Sequence, residues 1–202
     1  MIVVDGRDTG LEIQGFENLE QLIIKVMEDK HLTGRIVTDV MVNGEPFSEI
    51  YPHQAEDVET PEIESVEIVS MPTSEMAVNI TRELYKVVTL MDHGARRVAA
   101  LFRKADDGEA LEVYQDLLDV TRDFMGMIGV LRGEFSLKQN ANFNEAAEEL
   151  SSLFSEMVEV IENEDWILLA DLLEYEFIPA VERWKKVVAQ LREDIKEIAR
   201  AA

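Results

Sequence analysis

A chain of 202 residues with 47% hydrophobic content is long enough for one large domain or two small ones, and rich enough in apolar side chains to argue against disorder. Its 42 acidic against 19 basic residues give a formal charge of -23, so it lacks the basic footprint that nucleic acid demands, and acidic membranes repel it. Without a cysteine it can form no disulfide, no thiolate metal site and no cysteine nucleophile.

The chain opens with MIVVDGRDTGLEIQGF, strand-like from the start and unlike a signal peptide, and no run of about eighteen apolar residues follows anywhere. A cytoplasmic location is expected. Ile2, Val3 and Val4 make a short apolar strand, Asp5-Gly6 begins a turn, and Leu11 to Phe16 alternates as a second strand. Asn18 with Gln21 has capping-box spacing, and Leu19, Leu22, Ile23, Val26 and Met27 repeat with helical period until Gly34; His31 is read as a residue of the helix C-terminus. RIVTDVMVNGEPF then leads into Asn43-Gly44, the strongest short-range hairpin signal, and SVEIVSM supplies a closing strand. The expected order is ββαββ over residues 1–72.

That order and size, with VMVNGEPF as the local match, resemble the β-grasp superfamily of ubiquitin-like and sulfur-carrier proteins. Carriers of that kind end in a free di-glycine, whereas here the last strand passes through Met71-Pro72 into further chain. The resemblance therefore implies a docking module without carrier chemistry.

From residue 73 the period becomes helical, and four helices forming an antiparallel bundle are expected over 73–202. Thr73 and Ser74 start the first helix, with Ile80, Leu84, Val87, Met91, Val98 and Leu101 as its stripe. Asp106 and Glu109 have the spacing of a cap for the second, which carries Leu111, Tyr114, Leu118, Phe124, Ile128 and Leu131. Asn144 is placed to cap the third, with Leu150, Leu153, Met157, Val160 and Ile161 inward. In the fourth, Ile167, Leu168, Leu172, Tyr175, Ile178, Val181, Trp184, Val188, Leu191 and Ile195 follow a three-and-four spacing, while Pro179 predicts a kink or loosening near Tyr175. The fold class is thus α+β, a β-grasp followed by a bundle.

Charge is the unusual feature. Between Lys138 and Arg183 there is no lysine or arginine, although Glu145, Glu148, Glu149, Glu156, Glu159, Glu162, Asp171, Glu174 and Glu176 all lie there. Such a face either solubilises the protein or receives a basic, amphipathic partner. In the second case Glu156, Glu159 and Glu162 supply the charge, and Trp166, Tyr175, Phe177 and Trp184 are candidate aromatic anchors, with Trp184 also readable as core.

No catalytic residues, cofactor or metal site are assigned. The Glu-x-x-His pairs of di-iron bundles, EF-hand loops, phosphate loops, Rossmann glycines and nucleophile elbows are missing from the sequence, so the expectation is a protein that is not an enzyme. LMDHGARRVAALF resembles a histidine phosphotransfer helix, in which His93 would accept a phosphoryl group; Gly94 and Arg96-Arg97 depart from the usual lysine-glycine pair. ADDGEALEVYQDLLDVTRDFMGMIGVL resembles the second-helix region of flagellar export chaperones, and DWILLADLLEYE resembles bacterial bundle proteins with no activity attached. The leading expectation is a chaperone-like or adaptor protein that holds a partner segment on its acidic bundle. Phosphotransfer through His93 is the alternative.

Overall fold

The computed structural model describes residues 1–28, 32–48, 54–137 and 141–201, which form two compact units, Met1–Met76 and Ala77–Ala202. The protein is α+β, with a five-stranded mixed sheet first and helices after it. His31 lies outside the described residues.

In the first unit, β1 (Ile2–Val4), β2 (Arg7–Asp8), β3 (Arg35–Val42), β4 (Glu45–Pro46) and β5 (Val66–Pro72) are ordered β2-β1-β5-β3-β4. The central β1–β5 pair is parallel and the other pairs are antiparallel. The sheet thus has one strand more than ββαββ allows, because Asn43 (φ 52) and Gly44 (φ +81) take the left-handed conformations of a tight hairpin and fold Glu45-Pro46 back onto Met41-Val42. Pro46 lacks a donor and suits this short edge.

The expected second strand over Leu11 to Phe16 is corrected. Asp5 (φ 48) and Gly6 (φ +76) turn the chain so tightly that Arg7-Asp8 already pairs with β1, and Ile13–Gly15 instead forms a single 3-10 turn. Between the halves of the sheet, α1 (Leu19–Met27) is capped by Asn18, whose Oδ1 accepts from the Gln21 amide at 3.1 Å. Its Leu19, Leu22 and Val26 pack with Ile2, Val66 and Ile68 into the core.

The second unit contains α2 (Thr73–Arg103, whose first four residues belong to the first unit), α3 (Asp107–Glu134), α4 (Ala141–Glu162), α5 (Trp166–Leu172) and α6 (Ile178–Ala201). Leu84, Met91, Val98, Phe124, Ile128, Leu150, Met157, Val181, Val188 and Ile195 share one core. Side-chain contacts tie the helices together: Phe102 stacks on Trp166 at 5.2 Å, Tyr114 donates to the Met157 sulfur at 3.7 Å, and Phe143 meets Trp184 edge-on at 5.7 Å. Gly94 admits Leu117 close to the α2 backbone, at 3.3 Å from where a Cβ would stand.

Two expected caps are also corrected. Asp106 precedes α3 without a side-chain capping bond, the Glu109 carboxylate pairs with Arg97 instead of closing a capping box, and Asn144 sits inside α4. Asp165 does cap α5, accepting from the Leu168 amide at 3.0 Å. Among the described residues no helix is long and apolar enough to cross a membrane.

Candidate protein-binding grooves

The sequence feature that shapes the acidic region is Pro179. It has no amide hydrogen, and in a regular helix its ring would crowd the carbonyl of Tyr175. The chain relieves this by opening into a π turn over Leu173–Phe177, where the Ile178 amide donates to the Leu173 carbonyl five residues back; it then continues as α6. The extra residue shifts the register. Leu172 and Leu173 on one side of it and Phe177 and Ile178 on the other are all buried, whereas Tyr175 is 68% exposed. For the same reason Ile167 and Leu168, expected in the core, face outward, and Leu169 and Ala170 take the inner positions.

Arg103 at the end of α2 holds this turn from outside. Its guanidinium donates to Asp171 at 2.8 Å and to Glu174 at 2.7 Å, and these two carboxylates raise its pKa further above its already high ordinary value. Glu174 is thereby committed to an internal ion pair, while Tyr175 and Glu176 remain exposed.

A groove of about 350 Å³ runs between α4 and the π turn, lined by Glu149, Leu153, Glu156, Tyr175, Glu176 and Pro179 together with Ser152 and Arg183. Of the residues singled out from sequence, Glu156 and Tyr175 meet here. Glu159 and Glu162 are exposed elsewhere along α4 and do not line it. Trp166 is half-buried against Phe102. Phe177 and Trp184 are core residues: Phe177 packs on Phe154, and Trp184 is 0% exposed between the perpendicular rings of Phe124 and Phe143. Neither presents a ring to a partner. Arg183 and Glu149, both lining residues, form an ion pair that neutralises part of the groove's charge.

The other flank of α4 carries a groove that the sequence reading missed. Leu111, Leu118 and Met125 of α3 and Phe154 and Ile161 of α4 line a trough of about 670 Å³ whose lining is mostly apolar, with Tyr114 and Thr121 beneath. Thr121 is satisfied internally, donating to the Leu117 carbonyl at 2.7 Å, so the floor offers no free hydroxyl. The signal was in the spacing: each helix bears a second apolar stripe beside its core stripe.

A third hollow, about 550 Å³, lies where α3, α4 and α6 meet, and it mixes Arg132, Arg183 and Lys186 with Glu145, Glu149 and Asp194. Arg132 lies over the Phe143 ring at 4.1 Å. His93 is exposed on α2, but the neighbouring cations are engaged: Arg96 grips Asp92 through two bonds of 3.0 Å, and Arg97 pairs with Glu109. Among the described residues no three histidine or carboxylate side chains gather as a metal-binding group.

The chain belongs to a family described as a domain of unknown function, DUF8042, whose model matches residues 79–187. A second model, described as the domain of unknown function DUF8043, matches residues 1–71. Each matched segment falls within one compact unit. No curated protein and no solved structure matches the chain.

Proposed function

We propose that this is a non-enzymatic, cytoplasmic protein-binding protein of the chaperone-like or adaptor kind, in which an acidic four-helix bundle over residues 73–202 holds a segment of another protein. The observation that carries the reading is α4. It contributes Glu145, Glu148, Glu149, Glu156, Glu159 and Glu162 without a single basic residue, and it is flanked by a groove on each side. A solvated helix ordinarily mixes signs, because pairs at i and i+4 stabilise it by a few tenths of a kcal/mol and like pairs cost as much. Carboxylates kept at that cost beside open apolar surface suit a basic, amphipathic partner. Tyr114–Met157 and Arg132–Phe143 join α3 to α4 in opposed chain order, as Phe143–Trp184 and Glu149–Arg183 join α4 to α6, which supports the antiparallel bundle. The strand order β2-β1-β5-β3-β4 around a parallel central pair supports a β-grasp docking module in residues 1–72.

Capture of partners from a cell lysate tests the reading. Replacing Glu156, Glu159 and Glu162 together by lysine is expected to weaken capture most at low ionic strength, since exposed charges are screened over about 10 Å at 0.1 M salt. Capture that survives the triple reversal but is lost on deleting residues 1–72 would return the acidic face to a solubilising role. A phosphoryl adduct removed by His93→Ala would favour the phosphotransfer alternative.

A further inference from the structure

We infer that the α3–α4 trough is the seat of recognition, and that its occupant is a cationic amphipathic helix of about four turns belonging to another protein. This rests on the reading of the acidic unit as a protein-binding element and names the site and the ligand chemistry within it. The core stripe of α3 runs through Tyr114, Leu117, Thr121, Phe124 and Ile128, all buried, which leaves Leu111, Leu118 and Met125 as an additional apolar line at intervals of seven. On α4 the buried stripe is Leu150, Leu153, Met157 and Val160, which leaves Ala147, Phe154 and Ile161, again at intervals of seven. The two helices run antiparallel, since Tyr114 meets Met157 and, later on α3 but earlier on α4, Arg132 lies over the Phe143 ring. The same register sets Leu111 opposite Ile161, Leu118 opposite Phe154 and Met125 opposite Ala147.

The Leu111–Ile161 and Leu118–Phe154 rungs, with Met125 beyond them, therefore line the trough at intervals of about 10.5 Å, which is seven residues at about 1.5 Å each. That spacing is two turns of a helix. A third helix laid along the trough meets it with its own residues at i, i+3 or i+4, and i+7, the pattern by which grooves of this kind read amphipathic helices. From Leu111 to Met125 the trough is about 21 Å long.

Charge sets the polar face of the occupant. Together α3 and α4 carry thirteen acidic residues and two arginines. Beside the apolar line of α3, Glu112, Asp116, Asp119 and Asp123 follow one another at helical spacing, and the single cation among them, Arg122, is already paired with Asp119 at 3.0 Å and Asp123 at 3.7 Å. The rim thus presents net negative charge that only cations from outside neutralise. The π-turn groove is the poorer seat. It is smaller, and the Arg183–Glu149 pair already neutralises part of its lining.

The test uses the full chain and a fluorescein-labelled peptide of leucine and lysine, about 18 residues long, with leucines at i, i+3, i+4 and i+7 along its length. Controls are a scrambled peptide of identical composition and an amphipathic one with glutamate for lysine. The first peptide is expected to bind saturably and to gain helical circular dichroism, and the controls are not. Leu111→Gln and Val158→Gln replace side chains that are 39% and 54% exposed, so folding is preserved while neutral polarity enters the trough or its α4 edge. Together they are expected to weaken binding at least about tenfold, the loss of 1.4 kcal/mol, whereas Tyr175→Ala leaves it unchanged. Equal binding of the scrambled or the glutamate peptide overturns the proposal, as does wild-type affinity in the double variant. If instead Tyr175→Ala abolishes binding, the protein-binding reading stands and the trough is the wrong groove. If no peptide binds while lysate capture still responds to the α4 reversal, this inference falls alone.

Discussion

Asp5 shows how a surface carboxylate becomes part of the frame. Its two oxygens accept from the Ser70 amide and the Ser70 hydroxyl, each at 2.7 Å, and from Arg35 at 3.0 Å, and so join the β1–β2 turn to the neighbouring β5 and β3. The Ser70 hydroxyl first, then its amide and Arg35, hold the Asp5 carboxyl below its ordinary pKa of 3.8. A depressed carboxylate pKa contributes stability that is complete above the unfolded value and is lost as pH falls through the folded one. Titration of the Asp5 carboxyl by NMR is therefore expected to show a midpoint below 3.8, and Ser70→Ala is expected to raise it. Asp5→Asn keeps the left-handed turn, which asparagine tolerates, and removes the acid dependence. A midpoint at or above the ordinary value would contradict the geometry. Phe177 and Trp184 teach the opposite lesson about aromatic rings. Truncating a buried ring of this size costs about 3–5 kcal/mol, so substituting either would report on folding rather than on recognition.

At the level of elements, the π turn is a one-residue surplus lodged in a helix. Deleting Glu176 should restore regular hydrogen bonding while leaving Trp184, Val188 and Leu191 in their inward register. The proline would then again meet a carbonyl four residues back, at a cost of about 3 kcal/mol. Deletion of Glu176 combined with Pro179→Ala is expected to unfold cooperatively near the wild-type temperature, and the deletion alone at a clearly lower one; equal melting of the two variants by circular dichroism would mean that Pro179 is not what opens the turn. Much of this architecture was legible in the sequence. The Asn18 cap, the Asn43-Gly44 hairpin and the loosening near Tyr175 all rest on short-range chemistry that a few residues specify. What escaped depended on register. The two-residue β2 was hidden because Leu11, Ile13 and Phe16 alternate like a strand yet pack on the core from a loop. The outward turn of Ile167 and Leu168 follows from counting one residue more than a regular helix contains. The α3–α4 trough is a relation between two stripes, visible only when the helices lie side by side.

At the scale of the whole molecule, β5 ends at Pro72 and α2 starts at Thr73, so no separate linker stands between sheet and helices. The division of compactness falls slightly later, between Met76 and Ala77, within the first turns of α2. We propose that the two parts fold independently and that the smaller is the less stable, because a domain of about 70 residues buries a smaller fraction of its surface than a larger one.

Both tryptophans of the chain, Trp166 and Trp184, lie in the second unit, one half-buried and the other sealed in the core. Indole emission therefore witnesses only the helical part, and the sheet can melt in the dark. With increasing urea, far-ultraviolet dichroism is expected to begin falling before the emission maximum moves to longer wavelength, the gap between the two curves belonging to residues 1–76. Curves that superimpose at every denaturant concentration would show that the two units unfold as one.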